Sequence, residues 1–302
     1  MASAFTPAGY QNTIDFVEFA TTANATDFGD LSTARAGMSM SCNSTTRGIF
    51  NGGYQPAPTT VRVNNMEFIT FATTGNTQDF GDLTDDSQST YGGTASSSTR
   101  GLIGLGYVHP ARVNSIDFCT IATTGNALDF GDLQLARNAY GSCSNSTRGI
   151  FLGGNDPYTN IIDMVNIATT GDATDFGDLS VARRNPACTS DSTRGVFFGG
   201  NDSGGTNVID FVTIQSAGNA TDFGDSTSNQ SNASGASDSI RGVFSAGYYG
   251  SDGSISGESK IDFSSKMPSA LGNYNQILLS YDYIAGKVFG ASKEKGAVKN
   301  AN

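Results

Sequence analysis

The stretch Ser146–Asp191, STRGIFLGGNDPYTNIIDMVNIATTGDATDFGDLSVARRNPACTSD, decides how the rest of the chain is read. It holds four strand-like pieces. Arg148 to Gly154 is a short apolar run ending on a glycine pair, and Ile161 to Ala168 is a second apolar run with one embedded acid, Asp163. Their length, apolar content and flanking turn residues mark both as strands. Thr169-Thr170-Gly171-Asp172 has the composition of a tight turn, and the Thr-Gly-Asn steps at Gly75 and Gly125 carry the same hairpin chemistry. Asp175-Phe176-Gly177-Asp178 is the returning strand, and a Ser/Thr/Ala-rich run then leads to the next Arg-Gly.

Asp-Phe-Gly alone is the magnesium-holding triplet of protein kinases, which use it once, beside a strand lysine and a His-Arg-Asp loop. Here the segment begins at Asp27, Asp79, Asp129, Asp175 and Asp222, at spacings of 52, 50, 46 and 47 residues. No lysine precedes Lys260, and the sole histidine is His109. A motif repeated this evenly is architecture, and phosphotransfer is excluded. The acid-bearing strand recurs at Asp15, Glu67, Asp117, Asp163, Asp210 and Asp262, which makes six units. The Arg-Gly strand starts at Arg47, Arg100, Arg148, Arg194 and Arg241, with Lys287-Val288-Phe289-Gly290 as a degenerate last copy.

Four strands per unit of 46 to 53 residues, without helical periodicity, predict an all-β fold. The period is that of a β-propeller with six four-stranded blades, a seventh, partial blade being left open. Phe5 to Tyr10 resembles the glycine-ended strand, and the chain ends with a small-residue strand near Asn275–Asp282 followed by Val288-Phe289. The terminal strands are therefore expected to complete one blade together and close the ring, which removes exposed sheet edges. Residues 1–292 form the single propeller domain in this reading, and 293–302 a polar, lysine-containing tail.

The formal net charge of −11 argues against nucleic-acid binding, which needs clustered Lys and Arg. No stretch has the length of a membrane span, and Met1 to Pro7 lacks the basic and apolar runs of a secretory leader. Cys42 and Cys143 stand five residues before Arg47 and Arg148, where other repeats carry Ala95 and Ala236. A position that accepts Cys or Ala wants a small buried side chain, so the four cysteines, including Cys119 and Cys188, are expected to be free thiols.

These residues resemble the kelch repeat, whose blade has an apolar strand ending in Gly-Gly, an acid-bearing strand, an outer-strand aromatic and a following arginine. The pairs here are Gly52-Gly53, Gly153-Gly154 and Gly199-Gly200. The aromatic is Phe28, Phe80, Phe130, Phe176 and Phe223 in place of the usual Trp, and the arginine fits at Arg35, Arg137 and Arg183. The wording of the repeat is also similar to kelch-type proteins of tailed bacteriophages, especially those of marine cyanobacteria. That likeness implies a non-enzymatic virion protein, made in the host cytoplasm and associated with a tail, fibre or particle surface. Its partners would be a host glycan or another virion protein.

The repeated Asp15, Asp117, Asp163 and Asp210, and the repeated Arg47, Arg100, Arg148, Arg194 and Arg241, could ring a central channel. A catalytic site is asymmetric, whereas these positions recur in every unit, so each arginine is expected to pair with a carboxylate of its own or the next blade. The acids of DFGD are expected to bond turn amides, and each outer Phe to wedge between blades. His109 alone cannot supply the imidazoles of a copper oxidase, and no cofactor or metal is expected. The loops Asn155–Asn160 and Asn201–Asn207 hold oxygen ligands without the alternating acids of a calcium loop. The asymmetry of the chain lies in the loops between the glycine-ended and acidic strands, where Tyr54, Tyr107, His109, Tyr158, Tyr248 and Tyr249 are the candidate partner surface. The alternative is a polysaccharide-binding lectin or glycoside-active enzyme with one site over the channel.

Overall fold

The computed structural model describes residues 9–245 apart from 17–23, 56–60, 86–91, 203, 227–228, 230 and 238–241, and outside that span Phe5–Thr6, Ser259–Ser264, Leu278–Asp282 and Lys287–Ala291. All its regular elements are strands. They form a succession of antiparallel sheets in which sequence order and sheet order nearly coincide.

The fourth sheet has the order Gly141–Ser144, Arg148–Leu152, Ile161–Asn166, Thr174–Asp178. The small-residue run thus belongs with the Arg-Gly strand that follows it, through the register Gly141↔Leu152 to Ser144↔Gly149. The second sheet (Ser39–Asn43, Arg47–Asn51, Asn65–Thr70, Gln78–Asp82) repeats this plan. So do the third (Thr94–Ser96, Arg100–Gly104, Ser115–Thr120, Leu128–Asp132) and the fifth (Ala187–Ser190, Arg194–Phe198, Val208–Thr213, Thr221–Asp225). The first sheet contains Thr13–Phe16 and Thr26–Asp30, while the sixth contains Ser234–Ser237, Gly242–Ser245, Ser259–Ser264, Leu278–Asp282 and Lys287–Ala291.

Two expectations about the termini are corrected. Leu278–Asp282 and Lys287–Ala291 continue the sixth sheet through Ser259–Ser264 and do not pair with Thr13–Phe16. Phe5–Thr6 and Gly9–Tyr10 pair with each other as a small hairpin.

Each DFGD strand carries a bulge. In the third sheet Asp129 faces Asp117 and Gly131 faces Ile116, so Phe130 is the extra residue. The bulge turns the ring off the sheet edge and into the gap with the next sheet. Phe28, Phe80, Phe130 and Phe176 are accordingly buried, each within a core cluster shared by two consecutive sheets. Phe223 is half-buried in a cluster that joins the fifth and sixth sheets through Phe198 and Phe244, whose rings stack at 4.8 Å. The phenylalanines therefore wedge between units as expected.

The turn reading is corrected by the same interface. The connection in the third sheet folds at Ile121–Thr123, before the Gly-Asn step. Gly125 and Ala127 instead donate to the Phe80 and Asp82 carbonyls of the second sheet at 2.7 and 2.8 Å, and Asn126 Oδ1 accepts from the Asp82 amide at 3.1 Å. The fourth sheet docks on the third in the same way, Gly171 donating to Phe130 at 2.8 Å. This contact explains the glycine of DFGD: Gly131 has φ +140°, and a Cβ there would lie 2.6 Å from the Gly171 carbonyl. Small residues allow the first two strands of consecutive sheets to approach as closely, since a Cβ on Gly149 would come within 2.9 Å of Ala95 and one on Gly101 within 2.7 Å of Cys42. Serine hydroxyls join the same strands, Ser144 donating to Ser96 O at 3.0 Å, Ser190 to Ser144 O and Ser237 to Ser190 O, both at 2.7 Å. All four cysteines are free and buried.

Candidate functional site: buried latches and a loop face

Two sets of polar residues stand out, one repeated and one not. The repeated set lies between sheets. Arg35, Arg137 and Arg183, on the segments that lead from one sheet to the next, are fully buried. They pair with Glu67, Asp163 and Asp210 of the following sheet at 3.0, 2.9 and 3.0 Å. The residue after each DFGDL completes the latch. Ser32 donates to Glu67 through its amide and hydroxyl, Gln134 to Asp163, and Ser180 to Asp210. The glycine pair makes room for the arginine, because a Cβ on Gly154, at φ +129°, would meet Arg137 Cδ at 2.9 Å. Burial alone would raise the Glu67 carboxyl, but the Ser32 and Thr77 hydrogen bonds and the Arg35 charge hold it below the ordinary range.

Between the second and third sheets no cation pairs with the acid among the described residues. Asp117 is buried to 1% exposure, and its hydrogen bonds come from the Thr84 amide and hydroxyl at 2.7–2.9 Å. The position four residues after Leu83, where the other latches have arginine, is Ser87. Burial raises the Asp117 carboxyl, and the nearby Asp129 and Asp85 add to the rise.

The expected pairing of the other arginines is corrected. Arg47, Arg100 and Arg148 donate to backbone carbonyls of the next sheet, at Ile121 and Ala122, at Ile167 and at Ile214. Arg47, Arg100 and Arg194 also lie over Phe68, Phe118 and Phe211 of their own sheets at 4.6–4.7 Å. Those rings in turn meet Phe80, Phe130 and Phe223 edge to face. Backbone carbonyls and a ring face suit a guanidinium that needs several acceptors and little desolvation. Asp15 is exposed, in contrast to Asp117, Asp163 and Asp210. The expected Asp–amide bonds occur at Asp175 and Asp222, which accept from Gly177 and Gly224. Arg241, Tyr248, Tyr249 and the 293–302 tail lie outside the described residues.

The unrepeated set lies on the loop face. The sheet-to-sheet segments and the loops after the Arg-Gly strands meet there through the bridges Ala36↔Tyr54, Asn138↔Asn155 and Arg184↔Asn201. Tyr54 and Tyr107 begin small hairpins, Tyr54–Gln55 with Val61–Arg62 and Tyr107–Val108 with Ala111–Arg112. His109 sits at the tip of the second, its Nδ1 3.3 Å from Tyr107 Oη. Arg112 crosses to the fourth sheet's loop, pairing with Asp156 at 2.7 Å, and its Nε donates to Asn138 at 3.3 Å. Tyr158 in that loop is covered by the Arg184 guanidinium at 5.4 Å, and its hydroxyl reaches Asn201 of the fifth sheet's loop at 3.5 Å. The structure thus brings Tyr107 and His109 together and places Tyr158 in the neighbouring loop. The sequence did not single out Arg112, Asp156 or Arg184, and the only signal was their position in loops that vary between repeats.

Among the described residues no group of three or more His, Cys, Asp or Glu side chains is placed to hold a metal ion. Comparison with family models and with curated proteins finds no match for this chain.

Proposed function

We propose that this chain is a six-unit, kelch-type β-propeller acting as a non-enzymatic structural and recognition component of a tailed-phage particle. It would present its loop face to a host glycan or another virion protein. The observation that carries this reading is a division of labour. Buried charges are spent on latches that recur from sheet to sheet, while the polar contacts that break the repeat lie in the loops. A rigid scaffold with variable loops is the usual arrangement for recognition.

The first and sixth sheets depart from the common plan. Phe71 is 45% exposed, whereas its equivalents Ile121, Ile167 and Ile214 are at most 1% exposed beneath the preceding sheet. The first sheet has two strands where its neighbours have four, and the sixth has five.

Antibody-gold labelling of purified particles of the phage that encodes the chain tests the reading. Gold on the tail, fibres or capsid surface is the expected result. Particles that carry none, with the protein free in the lysate, would overturn it.

A further inference from the structure

From the loop face we infer a specific site: the surface formed by Arg112, Asp156, Tyr158 and Asn201 binds a neutral pyranose ring. The inference rests on the glycan arm of the proposed function and narrows it to one place and one ligand class. Among the described residues this is where loops of three consecutive sheets are tied together by side chains, and the tie has no counterpart in the other units.

The chemistry follows from what each group leaves unused. Tyr158 is 40% exposed, and Arg184 occupies one face of its ring. The free face offers an apolar plane on which the C–H face of a sugar can stack, and the contacts to Arg184 and Asn201 fix its orientation beforehand. Beside it, the side chain of Asp156 is 63% exposed, and one of its two carboxylate oxygens is engaged by Arg112. The other oxygen can accept from a sugar hydroxyl. Arg112, with its side chain 32% exposed, keeps N–H groups beyond those given to Asp156 and Asn138. An acceptor and a donor held side by side match two adjacent hydroxyls, each of which donates and accepts. Asp156 adopts φ +69°, a left-handed conformation for a residue with a side chain. Such a conformation persists where its surroundings hold it, and it recurs at ligand clamps. The ligand is neutral because the ion pair is internally balanced and the chain carries a net charge of −11, which repels polyanions.

Saturation-transfer NMR on the full chain with methyl glucopyranoside, methyl galactopyranoside and methyl mannopyranoside tests this, with heparin as the anionic comparator. Transfer to the ring C–H protons of at least one pyranoside is expected. Tyr158→Ala should lower it at least tenfold and Asp156→Asn several-fold, whereas Tyr158→Phe, which keeps the stacking plane, should retain most of it. Unchanged melting temperatures separate loss of the site from loss of fold, and Asp156→Asn is informative even if Tyr158→Ala unfolds. Transfer insensitive to both positions but lost in Tyr54→Ala or Tyr107→Ala would overturn the inference and preserve the proposed function. Transfer to heparin alone would overturn the neutral ligand class. No transfer to any sugar would overturn the inference and leave a protein partner as the remaining role of the face.

Discussion

The joint between the third and fourth sheets and the joint between the second and third are built alike and charged differently. In both, a bulged phenylalanine fills the gap, the next unit's turn docks on the DFGD strand, and a side chain after the leucine bonds a buried carboxylate. Among the described residues only the former adds a guanidinium, Arg137 against Asp163, while Asp117 is bonded by Thr84. That the joint forms either way teaches that packing and backbone docking set its geometry, and that the arginine balances the charge the geometry buries. A buried ion pair is weak support for stability as a whole, yet removing one member is costly.

The comparison is tested first at Arg137. Replacing it with alanine leaves Asp163 as a buried uncompensated carboxylate, with an expected loss of about 3–5 kcal/mol in urea unfolding. A loss below about 1 kcal/mol would mean that the two joints are electrostatically equivalent. Next, Phe80→Ala and Phe130→Ala should each cost about 3 kcal/mol or more, because both rings are fully enclosed. Their similarity would show that the wedge does not depend on the latch, and half-buried Phe223→Ala should cost less. Gly131→Ala and Gly81→Ala force a Cβ against the docked carbonyl at a positive φ, and about 2 kcal/mol or more should be lost at either joint.

The smallest effect is a pH dependence. The folded-state pKa of Asp117 is raised, so the folded chain holds that proton more tightly than the unfolded chain. Its contribution is favourable below the unfolded value near about 3.9 and is lost as pH rises through the folded value. The stability of the parent protein relative to Asp117→Asn should therefore fall between acid and neutral pH, and a rise over that range would contradict the assignment.

Much of this was legible in the sequence. The period, the four strand types and the burial of the phenylalanines follow from local pattern, because apolar runs and turn residues carry that information within a few positions. The partners of the arginines were not legible. Arg100 and Arg137 stand in one repeat and Arg148 and Arg183 in the next, and which of each pair meets the acid depends on how a segment near Arg137 lies over a strand of the next sheet, 26 residues on at Asp163. Spacing cannot resolve that when both types recur with the same period. The Thr-Gly-Asn step failed for a related reason. Its backbone amide docks on the DFGD strand of a neighbouring unit, and the same residues imitate a hairpin signal when only one unit is considered. Tyr158 was visible as a loop aromatic, but Arg112, Asp156 and Arg184 become a group only once three loops share a face.

The most direct test is the unfolding free energy of two isosteric variants measured side by side at neutral pH. Asp163→Asn strips Arg137 of its counter-charge and is expected to lose about 3 kcal/mol or more. Asp117→Asn removes a buried charge that no cation pairs among the described residues, and its oxygen can accept from the Thr84 amide while its NH2 donates to the Thr84 hydroxyl, so it should stay within about 1 kcal/mol of the parent or exceed it. Opposite behaviour at these equivalent positions would establish that the arginine balances charge in a joint that packing has already built. Equal losses at both would contradict it.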